Sequence, residues 1–584
     1  MLLESHLVRK NGVDAHAAIP STQDFIRPVS QLAKLAILLA LVAIVAAFLP
    51  PSPVRAAQKR PHFTDIATAS KFAYVSNNSY SSRKYFPQPM CGGIAIFDVD
   101  NDGRMDIFFT NGAKLPEQKK TDDSFYHCLL RNKGDGTFED ITKQAGLPGE
   151  NLGFSFGVAA GDFDNDGATD LFIANAGQNA LYHNNGNGTF TDVTRGSGLD
   201  TKPRDLLSVQ AAWFDYDNDG LLDLVVSNYT YWTPESDKRC SKDGLDYYCS
   251  PKVYPNVEHH LYHNLGRGKF EDVTEKSGFG AAKGKGMGIG IADFNDDGRM
   301  DVFIANDTER NFLYLNQGDG TFKEVGLLVG VAYNENGTTV SAMGCDVKDF
   351  DNDGWVDVFY NNLMGQIWAL FRNKNGKSFD YVSSNLKISQ ISERMSGWSN
   401  GFIDYNNDGW KDLYSANGDV DNLVRNSRQS DSMFENVNGK EFVDVSGEMG
   451  RDFLRQGYQR GSAFADLNND GFMDLVVTSL NERPRILTNS ADNGNHWLML
   501  QTTGTSSNRD GIGAKIKLTT ASGRSLYNHV TTSVGFMSSS DRRVHFGLGS
   551  ESRIASIEIR WPSGKLQQLG ATHADQLLQV REPR

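Results

Sequence analysis

Residues 162 to 170 read DFDNDGATD, placing carboxylates at Asp162, Asp164, Asp166 and Asp170 with no base among them. Acids at alternate positions ahead of a glycine make a ligand loop for a hard cation. Positions 1, 3, 5 and 9 offer side-chain oxygens, position 7 offers a backbone carbonyl, and glycine at position 6 permits the sharp turn that brings them round one point. Six to eight oxygens in loose geometry suit Ca²⁺ better than Mg²⁺, which holds to a strict octahedron. The loop is similar to the first half of an EF-hand loop, with Asp at position 9 in place of a distant Glu at 12.

The pattern occurs seven times, at intervals of 53 to 78 residues, predicting up to seven Ca²⁺ ions. The remaining candidate ligands are Asp98, Asp100, Asp102 and Asp106; Asp215, Asp217, Asp219 and Asp223; Asp293, Asn295, Asp297 and Asp301. After these come Asp349, Asp351, Asp353 and Asp357; Asp404, Asn406, Asp408 and Asp412; and Asp466, Asn468, Asp470 and Asp474. The loops with Asn at position 3 carry one carboxylate fewer, so weaker affinity is expected of them. The bland alternative is a set of solvated Asp/Asn/Gly turns, but turn propensity does not require seven acids at position 9. Seven divalent ions would bring +14 against the formal net charge of −14. An excess of acid also argues against non-specific nucleic-acid binding.

The flanks say what must position the loops. Before them lie short apolar runs (GGIAIF, GVAAGDF, GIGIADF) and after them β-branched or aromatic runs (DLFIAN, DLVVSN, DVFIAN), which read as two strands with the loop at the hairpin tip. An LYHN-like strand follows, then a Gly/Asn turn and an F-x-D-V-like strand, giving four short strands per repeat, the composition of a propeller blade. The seventh copy lacks the last strand: RILTN at 485–489 runs directly into NHWLML. The missing piece stands at the other end, in PHFTDIATA at 61–69. An all-β fold is therefore expected, a closed seven-bladed β-propeller over 61–490 whose last blade is completed by the N-terminal strand. Residues 495–584 carry no acidic loop and read as a small sandwich-like or barrel-like β module packed on it.

Ahead of the repeats, the apolar run 35–49 follows Arg27 and Lys34 and fits a signal h-region better than a membrane span of about 20 residues. Val54 and Ala56 suit cleavage after Ala56, and residues 1–56 form a signal peptide or, in the alternative, a retained signal anchor. Either places the rest of the chain outside the cytoplasm, with membrane contact only through that anchor. Cys240 and Cys249 are expected to form a disulfide stapling an insertion, Cys91 and Cys128 could equally form a second or stay free, and Cys345 is expected to be a small buried residue.

Motifs carry the chain further. FGVAAGDFDNDG at 156–167 resembles the integrin-α-type FG-GAP or VCBS repeat, and NHWLML, SNRDGIGAKIKL, VGFMSSSDRRVHFGLG and IEIRWPSGKLQQL resemble the ASPIC and UnbV domain. Together they resemble the cartilage-acidic-protein family of secreted calcium-binding propellers, over about 61–582. Ser539 stands where that pattern leads one to expect Gln.

No nucleophile elbow, phosphate loop or paired-carboxylate signature is present, so no residue is assigned as catalytic or as cofactor-binding beyond the metal loops. His183 and His263 fall at strand positions filled elsewhere by Arg, Leu and Glu, and read as strand surface. SNRDGIG reads as a structural turn. The aromatic-rich insertion 229–260 either caps its blade or offers a binding loop. The function expected is an exported binding or adhesion-type module for a protein or glycan, the alternative being a carbohydrate-active enzyme with its site at the propeller mouth.

Overall fold

The structure is a computed structural model that describes residues 61–420, 427–490 and 493–584. Residues 62–490 form seven four-stranded antiparallel sheets, of which the second shows the logic. Ser155–Gly161, Asp170–Asn175, Ala180–Asn184 and Phe190–Asp192 pair in sequence order. The acidic loop closes the first hairpin, with its position-9 residue Asp170 opposite Gly161. The first two strands are buried throughout, because the sheets stack face on face, and they therefore read as continuous apolar runs. Between the second and third sheets, for example, Phe172 and Ala159 meet Ala211, Trp213 and Leu224.

The innermost strands neighbour one another in a closed cycle: Ile94–Phe97, Ser155–Gly161, Leu206–Phe214, Gly286–Ala292, Cys345–Lys348, Gly397–Ile403, Gln459–Ala465 and back to the first. This is a β-propeller with no exposed inner edge. The last sheet takes its outer strand from the N-terminal end, His62–Asp65, with Phe63 opposite Asn489. One residue type seals every joint. The Asn at or close to the end of each third strand is buried, and its side-chain amide donates both to the position-8 carbonyl of its own loop and to the position-2 carbonyl of the preceding loop. Asn184 thus reaches Thr169 and Val99, and Asn132 carries the bond across the closure from Met105 to Leu467.

Residues 496–581 build two further sheets. One contains Val544–Gly549, His496–Thr503 and Gln576–Arg581; the other Ser525–His529, Lys515–Thr520, Arg553–Arg560 and Leu566–Leu569. Leu498, Leu500, Ile516, Leu518, Ile557 and Trp561 fill the space between them. From this module a hairpin, Ser533–Val534 with Ser538–Ser539, enters the central channel and lies against the innermost strands of all seven sheets. Ser538 and Ser539 pair in parallel with Ile94 and Ala95 of the first. A Cβ at Gly344 would stand 2.6 Å from the backbone of Gly535, so the glycines that open the apolar runs give this hairpin its room.

Cys240 and Cys249 form the expected disulfide, bracing the ribbon Cys240–Lys242 and Leu245–Tyr247. The second candidate disulfide does not form. Cys91 and Cys128 are free and lie in separate cores, Cys91 among residues of the channel mouth and Cys128 between the seventh and first sheets. Cys345 is buried, as expected. Among the described residues no helix is long and apolar enough to cross a membrane. The apolar run 35–49 and the cleavage after Ala56 lie outside the described residues.

Candidate metal loops and the central channel

All seven loops share one construction. The position-1 carboxylate accepts the backbone N–H groups of positions 5 and 6: Asp162 from Asp166 and Gly167 at 3.0 and 2.8 Å, and Asp404 from Asp408 and Gly409 at 3.0 and 2.7 Å. Position 9 accepts the N–H of position 2 and that of the Asn ending the third strand, as Asp170 does from Phe163 and Asn184 at 3.1 and 2.8 Å. The loop is thus folded around its own acids, and they converge. Oxygens of Asp98, Asp100 and Asp106, of Asp162, Asp164 and Asp170, and of Asp215, Asp217 and Asp219 come within 4.8 Å of one another. In the loops with Asn at position 3, the Asn amide donates to the position-5 acid, as Asn295 does to Asp297 at 2.9 Å and Asn468 to Asp470 at 2.8 Å.

Burial leaves these acids without enough opposing charge. Desolvation first, and the neighbouring carboxylates after it, push Asp106 up to about 8, Asp170 to about 9 and Asp215 to about 8, against the hydrogen bonds that pull down. Asp301, Asp357, Asp412 and Asp474 are raised well above the ordinary range for the same leading reason. Converging hard oxygens whose like charge the bases beside them do not offset are a donor set that a divalent cation fits.

Three features escaped the sequence reading. First, the position-4 residue, in left-handed backbone in every loop, links its loop to the next. Asn165 donates to the carbonyl of Gly220 at 2.8 Å, Asn407 to Gly471 at 3.1 Å, and Asn469 across the closure to Gly103 at 3.2 Å. Six joints carry this bond. The fourth loop has Asp296 instead, which accepts from Lys515 and Arg560 of the C-terminal module at 3.0 and 2.9 Å. Secondly, Glu435 stands close enough to the sixth loop to add, after burial, to the upward shift of Asp408 and Asp412. Thirdly, His183 and His263, read from sequence as strand surface, set their rings over the second and third loops.

The loop face is also where the C-terminal module docks. Arg509 donates its N–H to Asn165 at 2.8 Å, Asp510 accepts that of Asp162 at 2.9 Å, and Arg524 reaches the carbonyl of Asp408 at 2.8 Å. Arg543 reaches Asn469 and the carbonyl of Asp466 at 2.7 and 2.8 Å. SNRDGIG is thus a docking turn. Under the module Asp346, Lys348, Lys411, His529, His545 and Arg543 surround a cavity of about 90 Å³, room for a few water molecules.

The opposite mouth differs. There Phe86, Met90, Tyr229, Tyr248, Met287, Met343 and Trp398 line a cavity of about 260 Å³, and Trp398 packs in turn on Phe536 of the channel hairpin. Tyr229 and Tyr248 come from the insertion, whose disulfide lies on the same wall at Cys249. Asp307 is its one carboxylate among the described residues; it accepts from the Tyr229 hydroxyl at 2.5 Å, and burial raises it to about 6.

The FG-GAP-like repeat model matches residues 98–173, 162–226, 243–304, 293–348 and 349–415, together more than half of the chain, and the ASPIC and UnbV model matches 504–584. Cartilage acidic protein 1 of Xenopus tropicalis is 24% identical over 532 residues, 88% of this chain and 75% of that protein. Its Homo sapiens counterpart is 22% identical over 526 residues, 85% and 73%. Among solved structures, the BP39L lectin from Burkholderia pseudomallei superposes with a TM-score of 0.43 at 9% identity, over 70% of this chain and 96% of that one. A lectin of Agrocybe aegerita that recognises non-reducing terminal N-acetylglucosamine gives 0.37 at 14%, over 67% and 87%. With the repeats laid out as a propeller and the module docked on their loops, the chain belongs to the FG-GAP-like repeat proteins that carry a C-terminal ASPIC and UnbV domain.

Proposed function

We propose that this protein is an exported calcium-binding propeller that serves as a binding module, offering the mouth opposite its acidic loops to a protein or glycan partner. One observation carries this. The face rich in carboxylates is turned inward on its own loops and covered by the module, whereas the other mouth presents an aromatic and methionine-lined cavity walled by the disulfide-braced insertion. Aromatic residues and methionine on a rigid frame are the usual composition of a recognition surface.

Ca²⁺ would supply the charge that the loops lack, held by the side chains at positions 1, 3, 5 and 9. The chain's own part is to fold each loop around its position-1 acid and to tie each loop to its neighbours. Export follows from the N-terminal apolar run and agrees with a disulfide in the insertion. A carbohydrate-active enzyme at the mouth is the weaker reading, because glycoside cleavage ordinarily uses two carboxylates about 5 to 9.5 Å apart. Asp307 alone lines this cavity among the described residues.

The test is calorimetry with Ca²⁺, together with melts of the exported chain with and without chelator. Each site at a hundredfold excess over Kd contributes about 2.7 kcal/mol, so chelation is expected to lower the melting temperature by at least ~10 °C. An unchanged melt without binding heat would remove the calcium assignment. For the partner, glycan arrays and pull-downs are compared between the exported chain and Trp398→Ala, and equal capture by both would move the surface elsewhere.

A further inference from the structure

The seven loops differ in what the third strand sets opposite them. In the successive blades the residue just ahead of the sealing Asn is Arg131, His183, His263, Leu315, Arg372, Glu435 and Thr488. In two neighbouring blades it is an imidazole, and both rings point into the carboxylates. His183 Nδ1 lies 3.2 Å from Asp170 Oδ1 and 3.4 Å from Asp164 Oδ2, and its Nε2 lies 3.9 Å from Asp166. His263 Nδ1 lies 3.1 Å from Asp223 Oδ1 and 3.7 Å from Asp217 Oδ2.

The shortest of these spacings fit atoms sharing one ion, and that between His263 Nδ1 and Asp223 is a hydrogen bond as the structure stands. Ligands about 2.1 Å from a metal are separated by about 3.0 Å along an octahedral edge and about 3.4 Å along a tetrahedral one. Asp164, Asp166 and His183 offer one ligand atom each within 4.8 Å of one another, as do Asp217, Asp223 and His263. His183 Nδ1 is buried and makes no hydrogen bond. Each ring is held edge-on by the aromatic residue at position 2 of its own loop, Phe163 at 6.2 Å and Tyr216 at 5.6 Å between centroids. Aimed, constrained and set among acids, the two imidazoles are placed as ligands.

We propose that the second and third loops are mixed nitrogen and oxygen sites that select a first-row transition divalent cation over Ca²⁺, while the other five keep an all-oxygen set. The inference rests on reading the loops as cation sites. Imidazole is a good ligand for transition ions and a poor one for Ca²⁺, which takes oxygen. Among the described residues the third strands of the other blades carry no imidazole at this place: Arg131 pairs with Glu139 at 2.7 Å, and Arg372 with Asp351 at 2.7 Å as a counter-charge.

Co²⁺ is the probe, titrated into the full exported chain held in excess Ca²⁺, with d–d absorption reporting nitrogen coordination. Leucine is the test substitution because the fourth blade already carries Leu315 at this place. Wild type is expected to take up two Co²⁺ per chain, His183→Leu and His263→Leu one each, and the double variant none, with apparent affinity at an altered site falling at least about tenfold. Melts in Ca²⁺ confirm that the variants fold. Two Co²⁺ still bound by the double variant, or none by wild type in Ca²⁺, would overturn the proposal. Calcium heat that persists in that second case leaves the calcium loops standing; its absence takes both down.

Discussion

The two ends of the central channel are built from the same seven repeats and have opposite chemistry. At the loop end every blade contributes acids at positions 1, 5 and 9 in the same fold, and the C-terminal module reads them with backbone groups and with Arg509, Arg524 and Arg543. At the other end the blades have diverged: one carries an insertion with a disulfide, and the wall is a mixture of Phe86, Tyr248, Met343 and Trp398 drawn from different blades. Repetition marks what the ring needs to stay closed. Divergence marks where one partner can be told from another, since a surface repeated seven times offers seven equivalent places and no specificity of position.

The two ends meet at Phe536. It is fully buried at the tip of the channel hairpin, with its ring centroid 5.3 Å from that of Trp398. Truncation there removes a core aromatic and uncouples the ends. Phe536→Ala is expected to destabilise by about 3 to 5 kcal/mol in denaturant unfolding, whereas Leu245→Ala on the 63% exposed tip of the insertion changes stability by less than about 0.5 kcal/mol. Equal, small effects for both would mean that the hairpin merely occupies the channel.

Most of the ring was legible, and the reasons are visible in single residues. The displaced strand at Phe63 was found because a seven-fold pattern shows one absence clearly, and it pairs with Arg485–Ser490 as the count required. The acids were legible as loops because ligand geometry fixes their spacing. What they touch was not. The Asn at position 4 looks like any turn residue until its amide is seen on the next loop's carbonyl, a contact between residues 55 apart for Asn165 and Gly220. The channel hairpin is a short Gly/Ser-rich stretch with no strand pattern, and its only trace is the glycines facing it, Gly344 among them. The pairing of Cys91 with Cys128 failed because cysteine count constrains parity and not proximity. His183 and His263 read as strand surface beside the Arg, Leu and Glu of other blades, and the same comparison makes them stand out once their rings are placed.

The module's hold on its own C-terminal end gives a pH-dependent contrast with the loops. Glu582 is buried, with 2% exposed, and accepts the N–H groups of Thr505, Ser506 and Ser507 at 2.7, 2.7 and 2.9 Å, besides the hydroxyls of Ser507 and Ser563. Burial pushes its pKa up, but these hydrogen bonds outweigh it and bring the group to about 2. A folded pKa below the unfolded one contributes stability that is fully present above about 4.3 and lost as pH falls through about 2. Glu582→Gln is expected to cost about 2 kcal/mol at pH 7 and progressively less from pH 5 down to pH 2. A cost that stays constant over that range would assign the effect to packing.

The smallest expected effect lies at the joint where the loop ring changes partner. Six joints are closed by an Asn amide on the next carbonyl, and the fourth by Asp296 with Lys515 and Arg560 of the module. All three side chains are partly exposed, so the two ion pairs together are worth under about 1 kcal/mol and are screened by salt. Asn takes the left-handed backbone of that position in the other loops, so Asp296→Asn adds no strain and supplies the amide the joint lacks. Loss and gain should nearly cancel, leaving a net change within about 0.5 kcal/mol at moderate salt. The telling quantity is the slope: wild type should lose its electrostatic share as salt rises, and the variant should not. Equal slopes would show that Asp296 serves the ring as its neighbours do, and that the module leans on the loops through shape and backbone contacts alone.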